Sequence, residues 1–389
     1  MPKVITKKAG LASKLKEVTN KSRTHPLWDG PCSNTPNGGI TQSLLSGYIV
    51  CKERFRINVV EGLGEEERFN KSMDYGSLWH ICEEHFARGE DWEKPLVDAC
   101  RGLCRKYMLQ QEEIEKWMNV CRLQFPLYVD FWKKHPDITK RTPLLQEKMF
   151  CIPYVLPSGR TAYLRGKMDS VDLVTDKKRS RIVLMENKSK GDLNEAMIQR
   201  NLLFDLQVMF YVVALEEYIK ENGPLSKESD GVPFNQVRYN CIRRPLSGGK
   251  GSIVQKKGSK NIPPETKQEF YNRLAEYIRE DPAYFFMRWN VDLMISDVSK
   301  FKTEFMNPCL DNLLDDYEWW EWCFRKEENT FCYGEREVVF PNHRLRHYRT
   351  PFGIYNPLAE NVSTPIDEYL LTGSTVGLVR RDTLFSELK

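Results

Sequence analysis

The sequence lacks the long apolar run that a membrane-spanning helix requires. Nowhere do about 18 consecutive apolar residues occur. The N-terminal segment MPKVITKKAGLASKLKEV also lacks the apolar stretch of a secretory signal peptide. These absences argue against membrane insertion and export, so we expect a cytoplasmic protein that makes no membrane contact.

Regular cysteine spacing and a strong net charge are also missing. The 11 cysteines are an odd number and are scattered along the 389 residues, which favours buried thiols in a reducing compartment over a disulfide framework. The formal net charge is only +4, so total charge does not indicate a nucleic-acid partner. Basic runs such as DKKRSR and GGKGSIVQKKGSK leave a local basic face open, although such runs are usually solvated loops.

Composition and periodicity divide the chain into four segments. With 41% hydrophobic and 12% aromatic residues, the chain can bury a large core. Order is predicted to begin near Gly39, and strand patterns begin at Leu144. The predicted segments are a flexible basic tail (1–38), a helical N-terminal part (39–143), a core that contains a sheet (144–300) and a helical or irregular extension (301–389).

The predicted core is a sheet with helices around it. Strand patterns occur in EKMFCIPYV, TAYLRGKMDSVDLV, RIVLMENK and QVRYNCIRR, and PAYFFMRWNVDLM is a candidate edge strand. Glu195 to Lys220 is predicted to be one amphipathic helix, Pro245 to Pro264 a mobile loop, and the tail from Asn356 irregular. The expected fold class is α/β, with a central mixed β-sheet flanked by helices and a helical N-terminal part.

Three charged residues lie in the middle of two of these strands. Because side chains alternate along a strand, Glu186 and Lys188 project from one face, and antiparallel pairing can bring Asp169 beside Glu186. Two carboxylates on one face are costly to bury unless a divalent cation lies between them, and Mg²⁺ or Mn²⁺ prefers such oxygen ligands. A neighbouring lysine can orient water or stabilise charge on a phosphate, which is the chemistry of metal-assisted phosphodiester hydrolysis. From the hairpin alone, a simple pair of Asp169 and Lys188 on an exposed sheet face is the alternative.

The pattern of these residues resembles the PD-(D/E)XK nuclease superfamily, and within it the RecB-like branch. The first strand carries G-x-x-D from Gly166 to Asp169, and the next strand carries E-x-K from Glu186 to Lys188. The branch has a Q-x-x-x-Y helix after E-x-K, and LQVMFYVV supplies it with two residues one helical turn apart, Gln207 and Tyr211.

Two further marks lie upstream of these strands. The branch carries a histidine on an earlier helix, and YGSLWHICEEH supplies His80. Glu147 loosely matches an acidic residue that often precedes the first strand. The marks occur in the expected order on the expected elements, and the resemblance covers roughly Ile40 to Arg243.

The resemblance implies a restriction-endonuclease-like core and a Mg²⁺-dependent (or Mn²⁺-dependent) deoxyribonuclease. Related chains are frequent among phage and bacterial nucleases of recombination and repair, so an exonuclease acting on DNA with a helicase or a single-strand annealing protein is expected. By this resemblance, Asp169, Glu186 and the carbonyl of Asn187 would bind the metal, and His80 would support a metal or the scissile phosphate. Lys188 would orient the attacking water. Gln207 and Tyr211 would hold Lys188 or the DNA backbone.

Some RecB-like nucleases hold an iron-sulfur cluster, and this possibility can be tested on the cysteines. Cys51 lies at the early ligand position, but Lys52 replaces the proline that usually follows. The late cysteines Cys309, Cys323 and Cys332 are separated by 13 and 8 residues, which is wider than the close ligand clusters usual for such sites. We therefore predict that no cluster is present.

Other interpretations of single residues stay open at this point. His80 beside Trp79, or Tyr211 in an apolar helix, would each more often be a core residue when taken alone. Asp172 competes with Asp169, although a regular strand turns it to the opposite face. A catalytically silent DNA-binding or scaffold protein of the same fold is the main alternative function, and RNA as a substrate is a further one.

Overall fold

The computed structural model describes residues 26–135, 140–176, 179–191, 193–194, 196, 205–246, 253–259, 263–325, 365–366, 369, 374–385 and 388. None of the helices in these ranges combines the length and apolar character needed to cross a membrane. The chain forms two compact units. One comprises Met1–Glu67, Pro153–Arg165 and Met306–Lys389, and the other comprises Arg68–Ile152 and Gly166–Phe305.

The elements alternate between helical and strand regions along the chain. The strands are β1 (Leu63–Glu65), β2 (Lys140–Val155), β3 (Thr161–Asp176), β4 (Arg179–Lys190), β5 (Phe234–Arg243), β6 (Phe286–Asp292) and β7 (Leu378–Arg380). The helices are α1 (Gln42–Val50), α2 (Lys52–Phe55), α3 (Asp74–Ala87), α4 (Glu93–Lys106), α5 (Gln111–Lys134), α6 (Leu206–Asn222), α7 (Lys267–Glu280), α8 (Pro282–Phe285), α9 (Ile295–Lys300) and α10 (Asn307–Arg325).

Five strands form the central sheet in the order β2-β3-β4-β5-β6. Strands β3 and β4 are antiparallel, with Ser170 opposite Met185. Strands β4 and β5 are parallel, with Glu186 opposite Tyr239, and β5 and β6 are antiparallel. The predicted α/β class with a mixed sheet flanked by helices is confirmed. The predicted edge strand begins at Phe286, because the preceding residues form the short helix α8, which starts at a proline and is capped by Asp281.

The unit that contains most of this sheet has a large aromatic core. Trp79 of α3 packs edge-on against Phe125 of α5, with ring centroids 5.3 Å apart. Ile242 of β5 and Phe286 of β6 belong to the same buried cluster, so α3 and α5 cover one face of the sheet. Since α3 carries His80, this packing fixes the histidine helix against the sheet.

The helix predicted from Glu195 to Lys220 starts later than expected. Helix α6 begins at Leu206, and the backbone of Asp205 is extended, with φ −70° and ψ 114°. The Asp205 carboxylate accepts the backbone N–H groups of Gln207 and Val208 at 2.9 and 3.2 Å, which makes it an N-cap. The apolar repeat continued upstream of this cap, so periodicity alone placed the start wrongly; residues 197–204 lie outside the described part of the chain.

The unit that contains Trp28 and Leu378–Arg380 has two features that the sequence did not indicate. Packing begins before Gly39, because Trp28 is fully buried and its indole N–H donates to the Gly39 carbonyl at 2.9 Å. The tail after Asn356 was predicted to be irregular, but Leu378–Arg380 forms β7 and pairs antiparallel with β1. Three-residue strands carry too little alternation to be recognised from sequence. Much of the predicted loop from Pro245 to Pro264 lies outside the described residues.

Candidate active site

Strands β3 and β4 bring the two acidic residues of the motifs together. The register that sets Ser170 opposite Met185 leads next to Asp169 and Glu186. Asp169 is 8% exposed and Glu186 is 1% exposed. Oδ2 of Asp169 accepts the backbone N–H of Asn187 at 2.8 Å. Because the N–H and C=O of one strand residue point to the same side, the Asn187 carbonyl also faces the β3 side.

Lys188 and Gln207 both bind one oxygen of Glu186. The Lys188 ammonium donates to Glu186 Oε1 at 2.6 Å and to the Gln207 side-chain carbonyl at 2.6 Å. The Gln207 amide donates to the same Glu186 oxygen at 2.7 Å. The surface pair of Asp169 with Lys188 that the hairpin alone admitted is wrong, because Lys188 pairs with Glu186 and both carboxylates are buried.

The second oxygen of Glu186 has a different environment. Oε2 is buried and has no hydrogen-bond partner among the residues that the structure describes. A buried carboxylate oxygen that receives no donor is costly, because its desolvation is not compensated. A cation bound at this oxygen would remove that cost.

His80 of α3 lies against a second pair of carboxylates. Its Nδ1 atom is 3.2 Å from Glu147 Oε1 and 3.6 Å from Asp169 Oδ1. His80, Glu147 and Asp169 each offer one ligand atom, and these atoms lie within 4.8 Å of one another. Lys167 forms an ion pair with the other oxygen of Glu147. The structure therefore places the histidine helix and the two acidic strands around one polar site.

The backbone at Glu147 is unusual for a strand residue. Its φ is +46°, and no other non-glycine residue in the described ranges has a positive φ. A side chain in this conformation typically costs on the order of 1 to 3 kcal/mol, and such strain is often found at functional sites. In this conformation the Glu147 side chain reaches His80 in the site.

Gly166 of the G-x-x-D motif has a steric reason to be glycine. A Cβ atom at this position would lie 2.8 Å from the Phe150 ring and 3.2 Å from the Tyr211 ring. The absence of a side chain therefore lets Tyr211 pack over β3. Gln207 lies one turn earlier on α6 and contacts Glu186 of β4, so the Q-x-x-x-Y pair forms one helix face that contacts both strands.

The charges of the site shift the pKa values of its members. Burial opposes protonation of His80, but Asp169, Glu147 and Glu186 outweigh it and raise the histidine pKa to about 9. Burial raises the pKa of Asp169 to about 7, against the lowering effect of His80. Burial also opposes the charge on Lys188, yet Glu186 raises the lysine pKa above its usual value. A cation that binds at this site would have to displace the protons held by His80 and Asp169.

Asp172 does not join this site. Its carboxylate accepts from the Arg141 guanidinium at 2.6 Å and from the Ser170 hydroxyl at 2.9 Å. The Gln146 amide donates to it at 3.2 Å. This network satisfies Asp172 on the face opposite to Asp169, in agreement with strand alternation.

Two residues of the site were missed or undervalued by the sequence analysis. Glu147 was only a loose family mark upstream of the G-x-x-D strand, and the structure places it in β2, where its side chain contacts His80 directly. Lys167 was passed over as a variable position of G-x-x-D. Its spacing of two from Asp169 was a usable signal, because residues i and i+2 share a strand face.

The cysteines considered for a cluster lie in the other unit or outside the described residues. The Cys51 side chain has a local role: its Sγ atom accepts the Arg54 N–H at 3.4 Å and caps α2. Cys309 is half-buried on α10. The side chain of Cys323 and the whole of Cys332 are outside the described part, so the expectation of no iron-sulfur cluster stays a prediction.

Comparison with known proteins identifies the family. The family model of the PD-(D/E)XK nuclease superfamily matches residues 40–293. This is more than half of the chain, and the chain therefore belongs to the PD-(D/E)XK nuclease superfamily. No curated protein matches the chain significantly. Members of this superfamily are typically metal-dependent nucleases, so membership suggests nuclease activity with a divalent cation.

Proposed function

We propose that the protein is a deoxyribonuclease of the RecB-like branch that hydrolyses phosphodiester bonds with Mg²⁺ or Mn²⁺. The observation that carries the proposal is the buried Oε2 atom of Glu186, which lacks a donor among the described residues while Oε1 is held by Lys188 and Gln207. The arrangement leaves one carboxylate oxygen in a site that also contains Asp169 and His80. Carboxylate and carbonyl oxygens are the ligands that suit these two cations.

The residues divide into those that would hold the cation and those that would act beside it. Asp169, Glu186, the Asn187 carbonyl and His80 would hold the ion. When bound, the ion supplies positive charge that offsets the charge developing on the phosphate and makes water more acidic. Lys188, kept cationic by Glu186, orients the attacking water and stabilises the charge on the phosphate. Gln207 fixes the ammonium, and Tyr211 supports Gln207.

The biological role is the finer part of the proposal. The order of the motifs along the chain supports the RecB-like branch: a helix with His80 comes first, then Asp169, then Glu186 and Lys188, then the helix with Gln207. Membership of this branch would in turn favour an exonuclease of phage or bacterial DNA recombination or repair. A helicase or a single-strand annealing protein would supply or use the processed DNA ends. The lack of an apolar run in the sequence supports a place in the cytoplasm.

The test compares wild type with two variants that separate metal binding from catalysis. Linear, circular and single-stranded DNA are incubated with Mg²⁺, with Mn²⁺ or with a chelator, and Mn²⁺ affinity is measured by calorimetry. Glu186→Gln should lose both metal affinity and cleavage. Lys188→Ala should keep metal affinity and lose about 100-fold to 1000-fold in rate, because one preorganised electrostatic contact is removed.

A matched pair of control variants is available on α6. Lys220 and Glu217 form an exposed ion pair at 3.0 Å, so Lys220→Ala and Glu217→Gln repeat the two chemical changes away from the site. Both should cleave like wild type. If wild type binds Mn²⁺ but cuts no form of DNA, the protein is a silent DNA-binding member of the fold; if the site variants cut as fast as the controls, the site is misassigned.

A further inference from the structure

The side chain of Asn187 lies on the opposite face of the sheet from Glu186 and Lys188. Its backbone N–H holds Asp169 at 2.8 Å, while its side-chain Oδ1 accepts from the Asn240 amide at 2.8 Å. Asn240 is the β5 residue directly opposite Asn187 in the parallel register. Asn187, the middle residue of E-x-K, is therefore held through its backbone N–H on one side and through its side chain on the other.

The Asn240 side chain is itself held in one orientation. It is completely buried. Its Oδ1 accepts from the Arg288 guanidinium at 3.1 Å, and its Nδ2 donates to the Tyr128 hydroxyl at 2.7 Å. Because a donor faces the oxygen and acceptors face the nitrogen, the amide cannot be reversed without breaking both contacts.

The groups around Asn240 are fixed in turn. Arg288 donates to the Tyr128 hydroxyl at 2.8 Å and stacks over the Trp132 ring, with 3.9 Å between the guanidinium carbon and the ring centroid. The Asn240 Nδ2 atom also lies 3.4 Å from Oε1 of Glu83, three residues after His80 on α3. The network thus links helices α3 and α5 and strand β6 to the centre of β4.

We propose that Asn240 is a positioning residue for the metal site: its amide fixes Asn187, so that the Asn187 backbone holds Asp169 and presents its carbonyl toward the cation. This inference rests on the proposed function. Residues that orient metal ligands from outside the coordination sphere typically change metal affinity by about 10-fold to 100-fold when mutated. Asn240 is placed to have this effect although it lies on the other side of the sheet from the motif carboxylates.

The decisive measurement is Mn²⁺ affinity by calorimetry on the full chain. Asn240→Ala removes the donor to Asn187, and Asn240→Asp keeps the shape and the acceptor for Arg288 but turns an oxygen toward Asn187 Oδ1. Both variants should bind Mn²⁺ about 10-fold to 100-fold more weakly than wild type. Cleavage should recover when Mn²⁺ is raised to saturate the weakened site. In the Asn187→Ala background, adding Asn240→Ala should cause no further loss, because the two residues act as one unit.

Gln236→Ala is the matched control on the same strand. Gln236 of β5 is also buried, but its amide donates to Asp292 of the other neighbouring strand, β6, at 2.6 Å and does not contact Asn187. The Gln236→Ala variant should be less stable than wild type but should bind Mn²⁺ with wild-type affinity. Folded Asn240→Ala or Asn240→Asp protein with wild-type Mn²⁺ affinity would overturn the inference, as would additive losses in the double variant. If wild type itself binds no Mn²⁺, the proposed function fails instead, so the two failures are distinguishable.

Discussion

At the scale of single residues, each carboxylate of the site has a basic side chain beside it. Lys188 contacts Glu186, Lys167 contacts Glu147, and His80 lies against Glu147 and Asp169. A divalent cation added to such a paired and partly buried set would add positive charge, which is costly where solvent is partly excluded. Binding is therefore expected to release protons from the proposed ligands His80 and Asp169, whose pKa values are raised to about 9 and about 7.

This proton release predicts that metal affinity rises with pH. The pKa of Asp169 is raised to about 7 and that of His80 to about 9, so both groups are mainly protonated at pH 6. Ligands must lose their protons to bind a metal, so each displaced proton weakens binding by roughly tenfold per pH unit below its pKa. By this rule, displacing the Asp169 proton contributes about tenfold and displacing the His80 proton about 100-fold between pH 6 and pH 8, so Mn²⁺ affinity should rise by roughly 1000-fold over this range.

Calorimetry in two buffers with different enthalpies of ionisation counts the protons released. His80→Gln removes one titrating group, so it should release fewer protons and show a shallower dependence of affinity on pH. Equal Mn²⁺ affinity at pH 6 and pH 8 in wild type would contradict the expected proton displacement.

The sequence predicted some of these residues and not others for a physical reason. Alternation along two neighbouring strands was enough to put Asp169 and Glu186 on one face. Glu147 reaches His80 only because its backbone takes a strained, positive φ, which no local pattern announces. Asn240 meets Asn187 only through parallel pairing of strands that a helix separates in sequence. Contacts of this kind depend on the tertiary fold.

At the scale of elements, long periodic segments were predicted well and their ends were not. The helical N-terminal part and the strands of the hairpin are present, whereas the start of α6 was wrong because a single side chain, Asp205, sets it. The cap also has a functional position. It fixes the first turn of α6, in which Gln207 holds Lys188 and Glu186.

Asp205→Ala should therefore affect both stability and activity. Loss of an N-cap typically costs about 0.5 to 2 kcal/mol, and here it also frees the turn that carries Gln207. Thr266→Ala is the matched control, because Thr266 caps α7 with its side chain accepting the Glu269 N–H at 3.2 Å. Urea unfolding should show similar losses of free energy for both variants, while DNA cleavage should fall only for Asp205→Ala. Equal cleavage by the two variants would show that the cap has no role beyond stability.

At the scale of the whole molecule, the small net charge hides an uneven distribution along the sequence. Residues 1–25 contain seven Lys or Arg and a single acidic residue, whereas the chain as a whole has a formal net charge of only +4. The rest of the chain is therefore slightly acidic. The proposed function requires the protein to approach a polyanion, and we expect the seven basic residues of the N-terminal segment to supply positive charge for this.

Removing residues 1–25 should weaken DNA binding without changing the metal site. Each phosphate contact contributes about 0.9 to the slope of the logarithm of affinity against the logarithm of salt concentration, so loss of several basic residues should reduce this slope by about 2 or more.

Replacing the seven basic residues with Gln keeps the length of the segment and should have the same effect if charge is the cause. Mn²⁺ affinity should stay at the wild-type value in both variants, because the proposed ligands His80, Asp169 and Glu186 lie elsewhere in the sequence. Fluorescence anisotropy with one duplex and its scrambled version at several salt concentrations measures the slope and also tests for sequence preference. An unchanged slope would assign the phosphate contacts to the body of the protein, and a strong preference for one sequence would contradict binding directed at the backbone, since phosphates carry no sequence information.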